Sequence, residues 1–209
     1  MIIDPKKQSF RENYKLMIGS ILPRPIAFVS TKSKDGIDNV APFSFFNGVC
    51  SNPPTVSFCP IRRGTDGEIK DTLNNIQDTR IFAINIVSEP FAPKMVVTAT
   101  EFPPELNEFE ESGLTSIPCD KINTMRVGES KISFECELNQ IIEIGNGGPG
   151  SGALILGTIV LFHIADELYD NGRVNLDLLQ PIGRLAGQNG YCRTTDQFEI
   201  KRIIKPTKN

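Results

Sequence analysis

The stretch that decides the fold runs from residue 24 to residue 47 and reads RPIAFVSTKSKDGIDNVAPFSFFN. Residues 26–31 form a short apolar block ending in two hydroxyl side chains, which is typical of a strand buried on both faces. Asp35-Gly36 follows and predicts a hairpin, because Asp-Gly between two strand patterns favours a tight turn. The stretch therefore predicts a return strand over about residues 39–49 with an aromatic-rich centre.

The rest of the chain continues this pattern. Further strands are predicted over residues 55–59, 80–87, 131–144 and 152–164 and near 198–203, and short helices over about 71–78, 90–99 and 106–112. Most strands follow one another through turns and not through crossover helices. We therefore expect a mainly β, antiparallel protein of about seven strands and three short helices, closed into a barrel. Residues 1–209 contain no repeat and no linker, so we expect a single domain.

The start of the helix near residue 71 has two interpretations. Thr65 and Glu68 have the spacing of a capping box. Asp71 is the alternative N-cap residue, and Thr72 would then be the first helical residue. We favour Asp71 because glycines at positions 64 and 67 are typical of a loop. In either case Leu73 and Ile76 face the core.

Composition excludes several classes of protein. The chain has 209 residues, with 22 Lys and Arg against 25 Asp and Glu, and a formal net charge of −3. This mildly acidic balance argues against nucleic-acid binding. Apolar runs are shorter than the roughly 18 residues of a membrane span. Five cysteines without C-x-x-C spacing disfavour a disulfide scaffold and a zinc ribbon, and reduced thiols without a secretory signal favour a cytoplasmic location.

Three catalytic or cofactor motifs are also excluded. Residues 145–150 satisfy G-x-G-x-x-G, but Pro149 and Gly152 precede a β-rich run where a dinucleotide-binding motif needs a helix, so a hairpin loop fits better. His163 is the lone histidine, which excludes a metal site built from several histidines. No G-x-S-x-G motif supports a hydrolase triad.

A set of short motifs in a fixed order resembles one family. The motifs are RPIAFVST at 24–31, Asp35-Gly36, NVAPFSFFN at 39–47, Pro53-Pro54, Lys70-Asp71-Thr72, Asn75-Ile76, FAIN at 82–85, PIGRLAG at 181–187 and YCR at 191–193. Over about residues 18–203 the set resembles the flavin reductase-like, FMN-binding split-barrel family. Among its members, the chain looks most similar to the flavoredoxin-like branch.

The resemblance implies a six-stranded antiparallel split β-barrel with a few short helices, assembled as a homodimer with one FMN per subunit near the interface. It implies an oxidoreductase that moves electrons from NAD(P)H through FMN to a flavin or another acceptor. The alternative is a flavoredoxin-type carrier that exchanges electrons with a protein partner and has little NAD(P)H activity of its own. A barrel that has lost its flavin is disfavoured by the intact motifs at residues 30–31 and 70–72.

The flavin phosphate is a dianion, which needs N–H groups, hydroxyls and a cation. Lys70, Asp71 and Thr72 offer all three at a predicted helix start, although a solvated helix start is the more common reason for such residues. The resemblance favours the phosphate interpretation. Ser30 and Thr31 at a strand end could donate to the flavin, or could simply belong to the following turn.

The isoalloxazine ring needs flat apolar contacts and amide groups. Phe45, Phe46 and Asn47 provide both, although core aromatics and a turn asparagine are an equal alternative. The resemblance also implies that Lys94 and His163 approach the cofactor; their ordinary roles are an exposed helix lysine and a partly buried histidine.

Other basic and aromatic residues are secondary candidates. Arg62 and Arg63 could assist at the phosphate, with a solvated loop as the default interpretation, and Arg184 and Tyr191 could shape the flavin face. No side chain is predicted as acid, base or nucleophile, because a flavin supplies the chemistry itself.

Overall fold

The computed structural model describes residues 1–203. Its α-helices are α1 (Phe10–Ser20), α2 (Asp71–Thr79), α3 (Ala92–Val97), α4 (Glu108–Ser112) and α5 (Leu176–Leu179). Its strands are β1 (Ala27–Lys32), β2 (Asp38–Phe43), β3 (Phe46–Ser51), β4 (Pro54–Phe58), β5 (Ile81–Ile86), β6 (Ser116–Pro118), β7 (Met125–Val127), β8 (Ile132–Ile144), β9 (Gly152–Ile164), β10 (Tyr169–Asp170), β11 (Arg173–Val174), β12 (Ile182–Arg184) and β13 (Tyr191–Arg193). Among these described residues, no helix is long and apolar enough to cross a membrane.

One antiparallel sheet of seven strands dominates the fold, in the order β2-β1-β5-β8-β9-β4-β3. Its two edge strands, β2 and β3, are separated in the chain by only Ser44 and Phe45. Seven flat strands would place the edges about 29 Å apart, whereas the three residue steps from Phe43 to Phe46 span at most about 11 Å. The sheet must therefore curl until its two edges lie side by side.

This arrangement corrects the prediction of one return strand over residues 39–49. The segment is two strands, β2 and β3, which pair with β1 and with β4 at opposite edges of the sheet. The sequence pattern is continuous across the break, but the choice of two different partner strands is made by tertiary pairing, which local patterns do not show.

The curled sheet has a core on each face. Val29, Phe58, Phe82 and Ile84 belong to one buried cluster, which Leu73 and Ile76 of α2 complete. Other side chains form a second cluster on the opposite face with α3, α4 and β7; it includes Phe28, Met95, Phe109 and Val127. Because β1 contributes to both clusters, the prediction of a strand buried on both faces is confirmed.

A buried arginine fixes the link between β2 and β3. Arg24 is only 3% exposed, and its Nε donates to Ser44 Oγ at 3.2 Å. Its other nitrogens donate to the backbone carbonyls of Ile18 at 2.8 Å and Leu185 at 3.1 Å. The Arg24 guanidinium thus connects the end of α1, the tail segment at Leu185 and the link between β2 and β3.

The predictions are correct for the helices in the middle of the chain and fail near its two ends. The three predicted short helices are present as α2, α3 and α4. Asp71 is the first helical residue and not the N-cap; Lys70 is the N-cap, without a side-chain capping bond. Helix α1 was not predicted, although Ser9 and Glu12 form its capping box. The strand predicted near residues 198–203 is wrong, because this segment pairs with no described strand.

The tightest contact in the first core gives a test of the packing. A Cβ added to Gly157 of β9 would lie 2.2 Å from Cζ of the buried Phe82 ring. We expect Gly157→Ala to lower the free energy of unfolding by about 1–3 kcal/mol, because the ring and strand must move apart. The measurement is urea unfolding followed by far-UV circular dichroism.

The matched control is Gly19→Ala in α1, where an added Cβ meets no atom within 4 Å. We expect this variant to be as stable as wild type or up to about 1 kcal/mol more stable, since alanine favours helix. Equal stability of the Gly157→Ala protein and wild type would contradict the packing described.

Candidate functional site

A cavity of about 70 Å³ lies between the start of α2, strand β2 and the segment that follows α3. Its walls come from Asn39 and Pro42 of β2, Lys70 and Thr72 at the start of α2, and residues 98–102. A water molecule needs roughly 10–15 Å³ on the same measure. The cavity therefore has room for a compact polar group of a few heavy atoms, and not for a ring system.

Two cations at this cavity have hydrogen-bonding capacity left over. Across residues 1–203, Lys70 Nζ makes neither a hydrogen bond nor an ion pair. Arg63 Nε is buried without a hydrogen-bond partner; its nearest carboxylate oxygen belongs to Glu101, at 3.9 Å. Burial lowers the pKa of Lys70, which shows that water solvates its charge poorly. Both residues line the cavity, so an anion bound there would lie beside two positive charges.

The first turn of α2 adds backbone donors. The N–H groups of Leu73 and Asn74 donate to the Lys70 carbonyl at 2.9 and 3.3 Å, whereas those of Asp71 and Thr72 have no acceptor in the described part of the chain. Residues at a helix start leave such N–H groups free and concentrate positive potential there. The start of α2 and its two neighbouring cations thus form an anion-binding arrangement.

A buried chain of hydrogen bonds lies behind the cavity wall. Asn39 Oδ1 accepts from Thr72 Oγ1 at 3.0 Å and from Thr31 Oγ1 at 3.2 Å. Asn75 Nδ2 donates to Thr31 Oγ1 at 3.0 Å, and Asn39 Nδ2 donates to Glu108 Oε1 at 2.7 Å. This chain connects α2, β1, β2 and α4, so it holds the cavity wall in place.

Glu108 is the titratable member of that chain. Its side chain also accepts a bond from the Val40 N–H, at 3.3 Å, and the residue is 7% exposed. Burial raises the pKa of Glu108 to about 7; the negative charge of Asp71 also raises it, and the bonds from Val40 and Asn39 lower it. Both protonation states are therefore populated near neutral pH.

Of the predicted site residues, the structure brings Lys70, Asp71 and Thr72 to the cavity, with Thr31 directly behind Thr72. Ser30 lies on the opposite face of the sheet. Its Oγ donates to the Met125 carbonyl at 2.6 Å and accepts from Asn85 Nδ2 at 3.1 Å. The hydroxyl of Ser30 is used to attach β7 to the sheet.

The aromatic candidates are not in the cavity wall. Phe45 lies against Tyr14 of α1, with ring centroids 6.3 Å apart. Phe46 packs against the first core cluster, and Asn47 is exposed on the edge strand β3. Their predicted place along an isoalloxazine stays a prediction.

Lys94 already has partners. Its Nζ donates to the Gly113 carbonyl at 2.6 Å and to Glu129 Oε1 at 2.8 Å. Burial alone would raise the pKa of Glu129, but the bonds from Lys94 and Thr115 outweigh it and lower the pKa. Lys94 therefore stabilises the segments around residues 113 and 129, away from the cavity.

His163 lies on the same face of the sheet as Ser30, in a cluster with two carboxylates. Its Nε2 is 2.6 Å from Glu135 Oε1, and its Nδ1 is 3.8 Å from an Asp120 oxygen. The fully buried Glu135 also accepts from the N–H groups of Asp120, Lys121 and Ile122. Because donors already surround this carboxylate, we assign the cluster the role of anchoring the loop at residues 119–122.

Sequence reasoning missed Asn39, Glu108 and the segment at residues 98–102. Asn39 and Glu108 are 69 residues apart in the chain, and although Asn39 opens the motif at residues 39–47, nothing local in the sequence indicates that the two side chains meet. Arg63, which the sequence suggested only as a secondary candidate, lines the cavity together with Lys70.

The fold is a curled antiparallel sheet, and its cavity at a helix start has the cations and free N–H groups that suit a ligand with an anionic group. Residues 18–179 match the family model described as the flavin reductase like domain. The chain therefore belongs to the flavin reductase-like family, which confirms the resemblance drawn from the sequence.

Two solved structures are similar to this chain over nearly its whole length. Component B of nitrilotriacetate monooxygenase from Bacillus cereus is 39% identical, with a TM-score of 0.90, covering 96% of this chain and 98% of that one. The 2-nitrobenzoate 2-nitroreductase NbaA of Pseudomonas fluorescens is 34% identical, with a TM-score of 0.85, covering 97% and 96%. Both are redox proteins by name.

More distant structures show the fold alone. A Shewanella frigidimarina protein described as having a split barrel domain is 18% identical, with a TM-score of 0.81, covering 97% of this chain and 100% of that one. Flavoredoxin of Desulfovibrio vulgaris is 21% identical, with a TM-score of 0.72, covering 87% and 91%. The curled sheet described above agrees with a split barrel.

The raised pKa of Glu108 gives a test that needs no ligand. The unfolded chain releases this proton near pH 4.5 and the folded chain near pH 7, so the folded state holds more protons in between. Its stability should then fall as pH rises, by up to about 3 kcal/mol between pH 4.5 and pH 8. We expect the free energy of unfolding of wild type, measured with urea, to fall by this amount relative to Glu108→Gln.

Glu111→Gln is the matched control, because Glu111 is exposed on the same helix. This variant should follow the pH dependence of wild type. The explanation of the Glu108 environment would be contradicted by a constant stability difference between wild type and Glu108→Gln from pH 4.5 to pH 8.

Proposed function

We propose that this chain binds FMN, with the phosphate in the cavity at the start of α2, and acts as an oxidoreductase. The observation that carries the proposal is the Lys70 ammonium, which has no partner among the described residues, and the unbonded Nε of Arg63, beside the free N–H groups of Asp71 and Thr72. A phosphate dianion satisfies a cation and several N–H donors at once, and the cavity is of matching size.

Each residue has a separate part in holding the cofactor. Lys70 would neutralise the phosphate, Arg63 would donate from Nε, and the N–H groups of Asp71 and Thr72 would complete the site. We propose that Phe45, Phe46 and Asn47 flank the isoalloxazine, as the family resemblance implies. FMN, when bound, would supply electron and hydride transfer between NAD(P)H and a flavin or other acceptor. The chain's own residues bind and orient the cofactor and substrates.

The redox class of the proposal is supported by the relatives. The two similar structures described above carry the names of a monooxygenase component and a nitroreductase. The electron-carrier function differs from the enzyme function in one measurable respect, which is the rate of reduction by a nicotinamide. The cytoplasmic location that we expect from the cysteine content stays a prediction. All five cysteines are free thiols in the structure.

Reduction by nicotinamide distinguishes the enzyme from the carrier. We expect the purified protein loaded with FMN to lose its yellow absorbance on anaerobic mixing with NADH or NADPH, in a reaction that saturates with nicotinamide. A loaded protein that neither nicotinamide reduces, but that a reduced electron-transfer protein does reduce, would support the carrier function. A protein that takes up no flavin in titration would contradict both.

A homodimer is the second part of the proposal. Large apolar side chains are exposed on the sheet and its long hairpin, including Val49 at 55%, Ile144 at 53% and Phe162 at 49%. The family resemblance implies a dimer, and a two-fold partner would cover apolar side chains of this kind. Sedimentation should give twice the chain mass of 23.1 kDa. A monomer that still binds FMN tightly would contradict this part.

Lys70 is the sharpest test of the phosphate site. Lys70→Ala removes a charge-assisted hydrogen bond worth about 1.5–3 kcal/mol, so we expect a roughly ten- to hundredfold loss of FMN affinity. Riboflavin lacks the phosphate and should bind the variant and wild type nearly equally. Fluorescence titration of both flavins into both proteins makes the measurement.

Lys94→Ala is the control variant, because Lys94 is paired with Glu129 and does not line the cavity. Its FMN affinity should stay within about twofold of wild type. An unchanged FMN affinity in Lys70→Ala, with a loss in Lys94→Ala, would contradict the proposed phosphate site and make Lys94 the cation that binds the phosphate.

A further inference from the structure

We propose that Glu108 sets the FMN affinity of the cavity by controlling which way the Asn39 amide faces, and thereby whether the Thr72 hydroxyl can donate to the phosphate. This inference rests on the proposed phosphate site. Glu108 acts as a positioning residue, because in this scheme it affects the ligand through Asn39 and Thr72.

The ionised form of Glu108 dictates one arrangement. A carboxylate only accepts hydrogen bonds, so Asn39 must turn its Nδ2 toward Oε1, 2.7 Å away. Asn39 Oδ1 then faces Thr72, whose Oγ1 donates to it at 3.0 Å. A hydroxyl carries a single hydrogen, so Thr72 presents only lone pairs to the cavity. A phosphate dianion also presents only lone pairs, and the two repel.

The protonated form of Glu108 permits the opposite arrangement. Its hydrogen on Oε1 can donate to Asn39 Oδ1 once the amide has turned over, while Oε2 still accepts from the Val40 N–H. Asn39 Nδ2 then donates to the Thr72 oxygen, and the Thr72 hydrogen is released toward the cavity. Thr31, the other hydroxyl that donates to Asn39 Oδ1, does not line the cavity, so Thr72 alone transmits the change to a ligand.

The carboxylates and cations around Glu108 favour coupling between the phosphate and this proton. Asp71 on α2 faces it and raises its affinity for a proton, and Glu101 adds a carboxylate to the cavity wall. Lys70 and Arg63 supply the opposing positive charge in the same cavity. A bound phosphate adds negative charge and would favour protonation further.

The other charged groups nearby are accounted for. On α4 itself Glu110 and Glu111 are exposed, and on the adjacent α3 Lys94 is paired with Glu129. Because burial places the pKa of Glu108 at about 7, the proton exchanges in the neutral range. By linkage, FMN binding should take up a proton there, and affinity should fall as pH rises.

The test is FMN titration at pH 6.5 and pH 8.5. We expect wild type to bind FMN about tenfold more weakly at the higher pH and riboflavin equally at both. Ionisation of the FMN phosphate, with a pKa of about 6, would change affinity in the opposite direction. In Glu108→Gln the amide imitates the protonated acid, so FMN should bind at both pH values as tightly as in wild type at pH 6.5.

Thr72→Val separates the amide mechanism from simple charge repulsion, because it removes the hydroxyl and keeps the shape. In the wild-type background we expect it to cost about tenfold in FMN affinity at pH 6.5 and less than twofold at pH 8.5. In the Glu108→Gln background it should cost about tenfold at both. If Glu108→Gln does not fold, the FMN affinities of Thr72→Val and wild type at the two pH values still test the amide mechanism.

Three results would overturn the inference. A wild-type FMN affinity that stays constant between the two pH values, yet exceeds riboflavin affinity, removes Glu108 and leaves the phosphate site intact. A pH dependence that persists unchanged in Thr72→Val contradicts the amide mechanism, because the hydroxyl that would transmit the change is absent in that variant. FMN and riboflavin affinities that are equal at both pH values contradict the proposed phosphate site itself.

Discussion

The two-residue link between β2 and β3 is the constraint on which the rest of this structure depends. Only two residues connect one edge of the seven-stranded sheet to the other, so the sheet must curl to bring its edges together. Arg24 holds the link by donating to Ser44, and it connects the link to α1 and to the tail segment. Helix α2 packs against the first core cluster, which brings the first turn of the helix beside β2.

The cavity follows from that placement. A helix start beside a strand, with apolar clusters on both faces of the sheet, leaves polar groups in a poorly solvated space. This single environment lowers the pKa of Lys70 and raises that of Glu108. Both groups therefore respond to an anionic ligand. The anion stabilises the charged form of the lysine, and its negative charge favours the protonated form of the acid. The hydrogen bonds through Asn39 connect Glu108 to the cavity wall beside Lys70.

How much of this the sequence predicts depends on how local each signal is. The strands β1, β5, β8 and β9 have clear patterns of their own, and the motif at residues 70–72 sits at a helix start, so sequence reasoning found them. The break between β2 and β3 depends on tertiary pairing and was missed. Glu108 meets Asn39 across 69 residues, and neither residue carries a local sign of that meeting. Helix α1 was missed despite its local capping box, because its opening residues are polar.

We propose that the start of α2 holds the phosphate of FMN, and a crystal structure of the FMN complex is the most direct test. We expect the phosphate to lie within hydrogen-bonding distance of Lys70 Nζ and of the N–H groups of Asp71 and Thr72. A complex in which FMN is bound with its phosphate outside this cavity, and Lys70 still without a partner, would contradict it.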